Sequence, residues 1–220
     1  MSTVDAQFTR RRIIASLGAG TMLGLVSPVR AASLVRTPAQ NEGPYYPVSI
    51  PLDHDSDLVQ VAGRAKTAAG EIVHLFGRVL DTNGSTIADA RVEIWQCDSE
   101  GRYHHPDDYR GPADPDFQGY GVTETRYDGA WRFRTIKPVP YSGRAPHIHF
   151  MVSVPGHPRL TTQMYLKGHP RNRDDHLYRS LGSDRERDSV TVDFVPAPKI
   201  APGVLAGTFD IVIGGNTSAG

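Results

Sequence analysis

The chain has 220 residues, of which 39% are hydrophobic and 22% are charged, and its formal net charge is zero. This length allows one domain with a buried core, and the balanced composition excludes wholesale disorder and a strongly basic nucleic-acid-binding face. The 22 glycines and 17 prolines favour a turn-rich β protein. The single cysteine, Cys97, lies in an apolar strand pattern, which predicts a small buried side chain and no internal disulfide.

The N-terminal segment has the composition of an export signal. Arginines at positions 10–12 precede an apolar run over residues 13–26, and small residues follow as far as Ala31. The paired arginines resemble a twin-arginine signal, with an ordinary export signal and a retained anchor as alternatives. We predict a signal over residues 1–31 and an exported protein, periplasmic or extracellular, with no membrane association in its mature form. Removal of the signal leaves more acidic than basic side chains, which argues against nucleic acid as a partner.

Seven segments show the alternation or the turn-bounded apolar pattern of strands. They are residues 72–81, 90–98, 128–136, 145–154, 160–166, 189–195 and 207–213. Their spacing predicts an all-β fold, a β-sandwich of mostly antiparallel strands with long active-site loops, preceded by the export signal. A short helix is expected near residues 174–181. The polar stretch at residues 100–118 has no strand period and is expected to be a functional loop.

Two histidines occur two positions apart on one predicted strand. Alternation places His147 and His149 on one face and Ile148 and Phe150 on the other face, which suits the core. The two histidine Cα atoms are then about 7 Å apart, which lets both imidazoles reach one ion. A polar, solvent-facing strand edge is the alternative interpretation.

Four separated motifs occur in order along the chain, and an earlier segment precedes them. They are VEIWQCDSEGRY, DGAWRFRTIKPVPY, RAPHIHF and TTQMYL, preceded by TPAQNEGPYYP. Together, over residues 37–166, they resemble the intradiol ring-cleavage dioxygenases, the family of protocatechuate 3,4-dioxygenase and catechol 1,2-dioxygenase. The resemblance implies one mononuclear non-haem Fe(III) per chain, held by two tyrosinates and two histidines. The implied ligands are Tyr103, Tyr141, His147 and His149.

The resemblance also implies roles for residues around the metal. Arg144 is expected to stabilise negative charge on the substrate ring, and Tyr141 to take up a proton as well as bind iron. Gln163 is expected to support the site, with a plain polar strand position as its alternative. The implied substrate-binding residues are Gly43, Pro44 and Tyr45.

The implied activity is cleavage of a catechol-type ring between its two hydroxylated carbons with O2, which gives a cis,cis-muconate-type product. The expected partners are a small aromatic diol and O2, and a homo- or hetero-oligomer is left open. The corresponding domains are an extended N-terminal segment with a substrate-side loop at residues 32–71, a catalytic β-sandwich at residues 72–214 and a flexible tail at residues 215–220. The turn from Tyr141 to Arg144 is short for the family, so the particular catechol is left unassigned.

Two other hypotheses compete with the dioxygenase. The stretch GRVLDTNGSTIADARVEIW resembles prealbumin-like β-sandwich binding modules, but such a module has no need of two tyrosines and two histidines. A zinc or copper site of the cupin type requires a glutamate and a further histidine at a different spacing. His104 and His105 are interpreted as loop or pocket-rim residues. The remaining histidines, interpreted as surface or loop residues, are His54, His74, His157, His169 and His176.

Overall fold

The computed structural model describes residues 33–214, so the predicted export signal and the predicted tail lie outside the described residues. Within this range the strands are β1 (Ile72–Leu80), β2 (Arg91–Trp95), β3 (Tyr120–Glu124), β4 (Ala130–Ile136), β5 (His147–Ser153), β6 (Leu160–Leu166), β7 (Thr191–Val192), β8 (Val195–Pro196), β9 (Leu205–Thr208) and β10 (Ile211–Val212). The helical elements are a 3-10 helix (Pro170–Arg173), α1 (His176–Arg179) and α2 (Asp184–Ser189).

The strands form two mixed sheets of five strands each. The first sheet has the order β10-β1-β9-β8, with β4 also paired to β1, and the second has the order β3-β2-β5-β6-β7. The pairings β1–β4, β2–β3, β2–β5, β5–β6 and β8–β9 are antiparallel. The pairings β1–β9, β1–β10 and β6–β7 are parallel. The predicted all-β sandwich with mostly antiparallel strands is therefore confirmed.

The main core lies between the two sheets. Leu75 and Val79 of β1 meet Ile148 and Phe150 of β5, and all four are fully buried. Burial of each such side chain contributes roughly 1.5–3 kcal/mol. The expected alternation of β5 is confirmed, because Ile148 and Phe150 face this core while Met151 belongs to a second cluster on the outer face of the sheet.

Two predicted strands are each divided into two shorter strands. Residues 189–195 were expected to form one strand, but β7 joins the second sheet and β8 joins the first, so the chain crosses between the sheets here. Residues 207–213 are interrupted between β9 and β10, where the Asp210 carboxylate accepts a hydrogen bond from the Arg78 N–H. That carboxylate replaces a backbone partner in the ladder and ends the regular pairing.

β3 and α2 were not predicted from the sequence. β3 has only five residues, and its Gly121 weakened the strand pattern. A Cβ at Gly121 would lie 2.6 Å from the Asp55 carbonyl oxygen, so the glycine permits a close backbone approach. The helix expected at residues 174–181 is present as α1, and residues 100–118 form a loop without strands, as predicted.

The outer face of the second sheet is covered by irregular chain. Residues 33–71 contain no helix and no strand beyond the isolated bridge between Asp57 and Arg134. This segment, the loop at residues 100–118 and the turn before β5 enclose a cluster that includes Trp95, Tyr103 and Tyr141. Within the described range, no helix has both the length and the apolar character needed to span a membrane.

Candidate metal centre

Four aromatic rings meet on the outer face of the second sheet. Tyr103 comes from the loop after β2, Tyr141 from the turn before β5, and His147 and His149 from β5 itself. The ring centroids are separated by 5.2 Å for Tyr103–Tyr141, 5.4 Å for Tyr141–His147, 4.8 Å for His147–His149 and 6.2 Å for His149–Tyr103. Each ring therefore neighbours two others in a closed set. The structure brings together the four side chains that the resemblance implied as ligands.

The two imidazoles direct nitrogen atoms at one another. His147 Nε2 and His149 Nε2 are 3.2 Å apart. His147 Nδ1 lies 2.6 Å from the Ala145 carbonyl oxygen, so Nδ1 carries the proton and Nε2 presents a lone pair. His149 Nδ1 is buried and has no hydrogen-bond partner among the described residues. Two imidazole nitrogens in this arrangement are suited to share one cation.

The phenol of Tyr103 supplies a second indication of a cation site. Its Oη is buried and makes no hydrogen bond within residues 33–214. A buried polar atom without a partner costs about 1–3 kcal/mol, and coordination to a cation would satisfy this oxygen. Together with Tyr141, the site offers two phenol oxygens and two imidazole nitrogens, a donor set that fits a hard trivalent cation such as Fe(III).

The predicted alternative of a histidine-based zinc or copper site gains no support from the donor geometry. In the part of the chain that the structure describes, no three side chains of histidine, cysteine, aspartate or glutamate are grouped so that they could hold a metal ion. Zinc sites typically take at least three such ligands. The only cluster with metal-binding potential that we find there depends on phenol oxygens.

Burial keeps all four side chains neutral when no cation is bound. It raises the pKa of Tyr103 and Tyr141 above the ordinary tyrosine value. It also lowers the pKa of His147 to about 4 and holds the pKa of His149 well below the ordinary histidine value. The neutral imidazole is the form that binds a metal, whereas the phenols ionise only if a cation stabilises their anions.

A tryptophan on β2 forms one wall of the site. Trp95 is paired with His149 across the two strands, and its indole lies parallel to the imidazole with ring centroids 4.8 Å apart. Tyr46 contacts the indole edge-on at 5.0 Å, and its hydroxyl donates to the Glu93 carboxylate at 2.7 Å. Trp95 lies within the predicted strand at residues 90–98, but nothing in the sequence indicated that it packs against His149.

The segment predicted to bind substrate lies directly over the four rings. A Cβ at Gly43 would lie 3.3 Å from His149 Cε1, so the backbone passes close to the imidazole. Tyr45 stacks on Tyr103 with ring centroids 4.7 Å apart. Pro44, between Gly43 and Tyr45 in the chain, is exposed. Gly43 and Tyr45 therefore contact the four-ring cluster.

Arg144 and Gln163 lie beside the histidines and contact one another. Gln163 is the cross-strand neighbour of His149, and its Oε1 accepts a hydrogen bond from Arg144 Nη2 at 2.6 Å. Gln163 Nε2 donates to the Asn41 carbonyl at 2.8 Å. Arg144 Nε donates to the Asp175 carboxylate at 2.7 Å. Asp175 was not singled out in the sequence; it lies within the segment predicted to be helical and immediately precedes α1.

A second ion pair stands at the edge of the site. The Asp108 carboxylate accepts from the Tyr103 backbone N–H and from Arg110. The Arg110 guanidinium lies 4.9 Å from the ring centroid of Tyr141 and 5.7 Å from that of Tyr45. The loop at residues 100–118 was predicted to be functional, but its sequence alone did not identify this pair.

The remaining histidines lie outside the four-ring cluster. His104 is exposed, and the His105 ring is 5.6 Å from that of Tyr45, which places it at the rim. The five histidines interpreted as surface or loop residues take no part in the cluster.

Comparison with known proteins identifies the family. The family model described as Dioxygenase matches residues 41–215. The chain is 36% identical over 176 residues to the protocatechuate 3,4-dioxygenase beta chain of Burkholderia cepacia, covering 75% of this chain and 73% of the relative. It is 30% identical to a catechol 1,2-dioxygenase of Pseudomonas sp. (strain EST1001), covering 80% of this chain and 67% of the relative.

Solved structures agree with this assignment. The dioxygenase domain of a dioxygenase–carbohydrate-binding fusion from Streptomyces sp. SirexAA-E has a TM-score of 0.64 and 29% identity, over 82% of this chain and 99% of that one. Catechol 1,2-dioxygenase from Acinetobacter sp. ADP1, inhibited by bound mercury, has a TM-score of 0.62 and 27% identity, over 81% of this chain and 62% of that one. Family match, shared fold and motif order agree, and the chain belongs to the intradiol ring-cleavage dioxygenases, a family of oxidoreductases.

Proposed function

We propose that this protein is an Fe(III)-dependent dioxygenase that cleaves the ring of a small catechol between its two hydroxylated carbons and releases a cis,cis-muconate-type product. The observation that carries the proposal is the closed set of four buried rings, two phenols and two imidazoles, contributed by Tyr103, Tyr141, His147 and His149. A prealbumin-like binding module has no use for this set.

The proposed ligand atoms are the two phenolate oxygens and the two Nε2 nitrogens. Ferric iron held there would supply Lewis acidity towards the two catechol oxygens and draw electron density from the ring, which makes the ring reactive towards O2. Two anionic phenolates offset much of the charge of a trivalent ion and favour the ferric state. The Ala145 carbonyl fixes the tautomer of His147, so that its Nε2 is ready to bind.

The surrounding residues provide the acid–base and electrostatic parts of the reaction. Tyr141 lies at the edge of the cluster, with 9% of its surface exposed, and its Oη is the proposed acceptor of a proton from a catechol hydroxyl. The Arg144 guanidinium lies beside the site and is held by Gln163. Its fixed positive charge stabilises negative charge that develops on the substrate, in a pocket where few waters can screen it.

The proposed substrate is a small aromatic diol, and the names of the relatives suggest which compounds to test. Those relatives are called protocatechuate, catechol and hydroxyquinol dioxygenases. The site is narrow, because Gly43 and Tyr45 lie directly over the rings. We therefore propose a single-ring catechol that binds beside the Gly43–Tyr45 segment.

A spectroscopic experiment tests the metal centre. Phenolate bound to ferric iron gives a visible charge-transfer band, so the purified protein should be red-brown and contain one iron per chain. Tyr103→Phe and Tyr141→Phe should each weaken or shift this band. Tyr109→Phe, in the same loop as Tyr103 but 86% exposed, should leave it unchanged. A colourless protein with stoichiometric zinc would contradict the proposal.

Oxygen uptake tests the reaction itself. Catechol, protocatechuate and hydroxyquinol should be compared as substrates, with one O2 consumed per ring and a dicarboxylate identified as the product. Arg144→Gln should reduce turnover by roughly 100-fold, the typical effect of removing one preorganised charge-stabilising group. If Arg144→Gln retains full turnover, the proposed role of Arg144 is wrong even when iron and activity are present.

We further propose that residues 1–31 direct export by the twin-arginine route to the periplasm or the exterior, which would suit a protein that folds around its metal before transport. Replacement of Arg10 to Arg12 by lysine should retain the protein in the cytoplasm. Size-exclusion chromatography with light scattering would distinguish a single chain from a homo-oligomer.

A further inference from the structure

One carboxylate connects Arg144 to the start of α1. Asp175 Oδ1 accepts from the backbone N–H groups of Leu177 and Tyr178, both at 3.0 Å, and so caps the helix. Asp175 Oδ2 accepts from Arg144 Nε at 2.7 Å and from the Ala145 N–H at 2.8 Å. The two oxygens of one side chain therefore hold two different structural elements.

This ion pair is shielded from water. The Asp175 side chain has no exposed surface, and the Arg144 side chain is 13% exposed. Burial acts to raise the pKa of Asp175, but hydrogen bonds from Arg144 and from backbone N–H groups hold that pKa below its ordinary value. The carboxylate thus remains charged, and its pairing with Arg144 is stronger than an exposed ion pair because the local dielectric is low.

A second set of contacts holds the other end of the guanidinium. Arg144 Nη2 donates to Gln163 Oε1 at 2.6 Å. The backbone N–H of Gln163 donates to Gln40 Oε1 at 3.1 Å, and Gln40 Nε2 approaches the Leu177 carbonyl oxygen at 3.4 Å. Gln163 is therefore connected through Gln40 to α1, the same helix that Asp175 caps. Within residues 33–214, Arg144 Nη1 has no hydrogen-bond partner, so it is the donor left for a substrate.

We propose that Asp175 is a positioning residue for ring cleavage. It fixes the Arg144 guanidinium so that Nη1 faces the substrate, and it anchors the guanidinium to the start of α1. The inference rests on the proposed role of Arg144 in the reaction. Asp175 does not touch the four rings itself. It acts by removing the rotational freedom of Arg144 before substrate binds, and displacement of a charge-stabilising group by about 1 Å costs roughly 100-fold in rate.

The decisive variant is Asp175→Ser, which separates the two functions of the carboxylate. A serine hydroxyl can still cap α1, since serine is among the preferred residues at this position. It cannot reach Arg144 or carry a charge. We expect kcat for the best catechol to fall by roughly 100-fold, while KM changes much less because the Gly43–Tyr45 segment is untouched.

Two further variants control for folding. Ser183→Ala removes the cap of α2, where the hydroxyl accepts from the Glu186 N–H, and should lower stability without changing kcat. Asp175→Asn keeps the size of the side chain but turns an amide N–H2 towards either Arg144 or the helix N–H groups. It should therefore reduce kcat as well, and it replaces Asp175→Ser if that variant fails to fold.

A double-mutant cycle separates positioning from a general structural role. If Asp175 acts through Arg144, then Asp175→Ser should cause no further loss of kcat in the Arg144→Gln background. A purely structural role would make the two losses multiply. Multiplying losses, or an unchanged kcat in Asp175→Ser and Asp175→Asn, would overturn the inference.

Chemical labelling provides a readout that does not require turnover. In the holoenzyme, the paired guanidinium of Arg144 should react slowly with phenylglyoxal, as followed by mass spectrometry, and Asp175→Ser should react several-fold faster, whereas Ser183→Ala should not. Equal labelling of Arg144 in the wild-type protein, Asp175→Ser and Ser183→Ala would contradict the pairing of Arg144 with Asp175. If the wild-type chain cleaves no catechol while Arg144 is still protected by Asp175, the proposed function fails, and the role of Asp175 in catalysis fails with it.

Discussion

The indole of Trp95 lies almost parallel to the imidazole of His149, with an interplanar angle of 10° and ring centroids 4.8 Å apart. The two residues are direct neighbours across β2 and β5. Because His149 Nδ1 has no hydrogen-bond partner among the described residues, the flat face of Trp95 is what fixes the orientation of this ring. Aromatic packing here takes the place of the hydrogen bond that usually orients a ligating histidine.

Replacement of Trp95 by leucine should therefore weaken metal retention. Removal of an orienting partner of a ligand typically costs 10–100-fold in metal affinity, and we expect about 10-fold, measured by competition with a chelator. Trp131→Leu is the matched control, because Trp131 is equally buried but packs against Phe133 and Phe150 in the core between the sheets. Both variants should lose stability by about 3 kcal/mol. Equal loss of metal in the two variants would show that Trp95 acts only through stability.

Gly43→Ala should disturb the site, whereas Gly63→Ala should not. The two glycines have nearly the same positive φ, +77° and +76°, so either substitution should cost about 1 kcal/mol in backbone strain. Only at Gly43 would the new Cβ press on His149, at 3.3 Å from Cε1, while nothing lies within 4 Å at Gly63. We expect Gly43→Ala to reduce turnover by roughly 10-fold and Gly63→Ala to retain it. Thermal unfolding and oxygen uptake measure the two effects, and equal turnover would contradict the crowding of His149.

Arg110→Ala should destabilise the protein more than Arg64→Ala does. Arg110 pairs with Asp108, whose side chain has no exposed surface, so its removal leaves a buried carboxylate without its cation. We expect the free energy of unfolding to fall by about 2 kcal/mol. The Arg64–Asp116 pair is more exposed, with 43% of the arginine side chain accessible, and its loss should cost much less because solvent screens an exposed ion pair. Urea unfolding of the two variants measures both losses. Equal losses of unfolding free energy would contradict a special role for the Asp108–Arg110 pair.

Removal of the metal should make the protein sensitive to mild acid. Burial lowers the pKa of His147 from the ordinary 6.5 to about 4, and it also lowers the pKa of His149 well below 6.5. The unfolded chain then binds protons below pH 6.5 that the folded chain does not, so stability is full above pH 6.5 and falls as the pH drops towards 4. For His147 alone the loss is on the order of 3 kcal/mol. Urea unfolding of the chelator-treated protein from pH 8 to 4 measures it, and His147→Gln should flatten the curve.

Much of the site could be predicted because most of the proposed ligands lie in local sequence patterns. The spacing of His147 and His149 on an alternating strand indicates a shared face from sequence alone, and Tyr141 lies in the adjoining turn. Tyr103 required the family resemblance, because nothing in the loop at residues 100–118 distinguishes it from the exposed Tyr109. The structure places all four rings together.

The supporting residues could not be predicted, because their partners are distant in sequence. Asp175 lies within the predicted helical segment, but its contact with Arg144 spans 31 positions. Trp95 lies within the predicted strand at residues 90–98, and nothing in the sequence indicated its neighbour on β5. The same limitation applies to the fold. Residues 189–195 read as one strand, and only the tertiary structure shows that β7 and β8 belong to different sheets.

The placement of the two imidazoles on β5 has a consequence for errors in folding. Side chains alternate along a strand, so a slip of one position against β6 would drive His147 and His149 into the apolar interior and bring Ile148 and Phe150 out to the cluster around Tyr103 and Tyr141. Both faces of β5 are buried, so neither exchange could be tolerated. A β5 paired out of register is therefore incompatible with a correctly packed core. Every correctly folded molecule thus already has both histidines on the face of the proposed metal site before a metal binds.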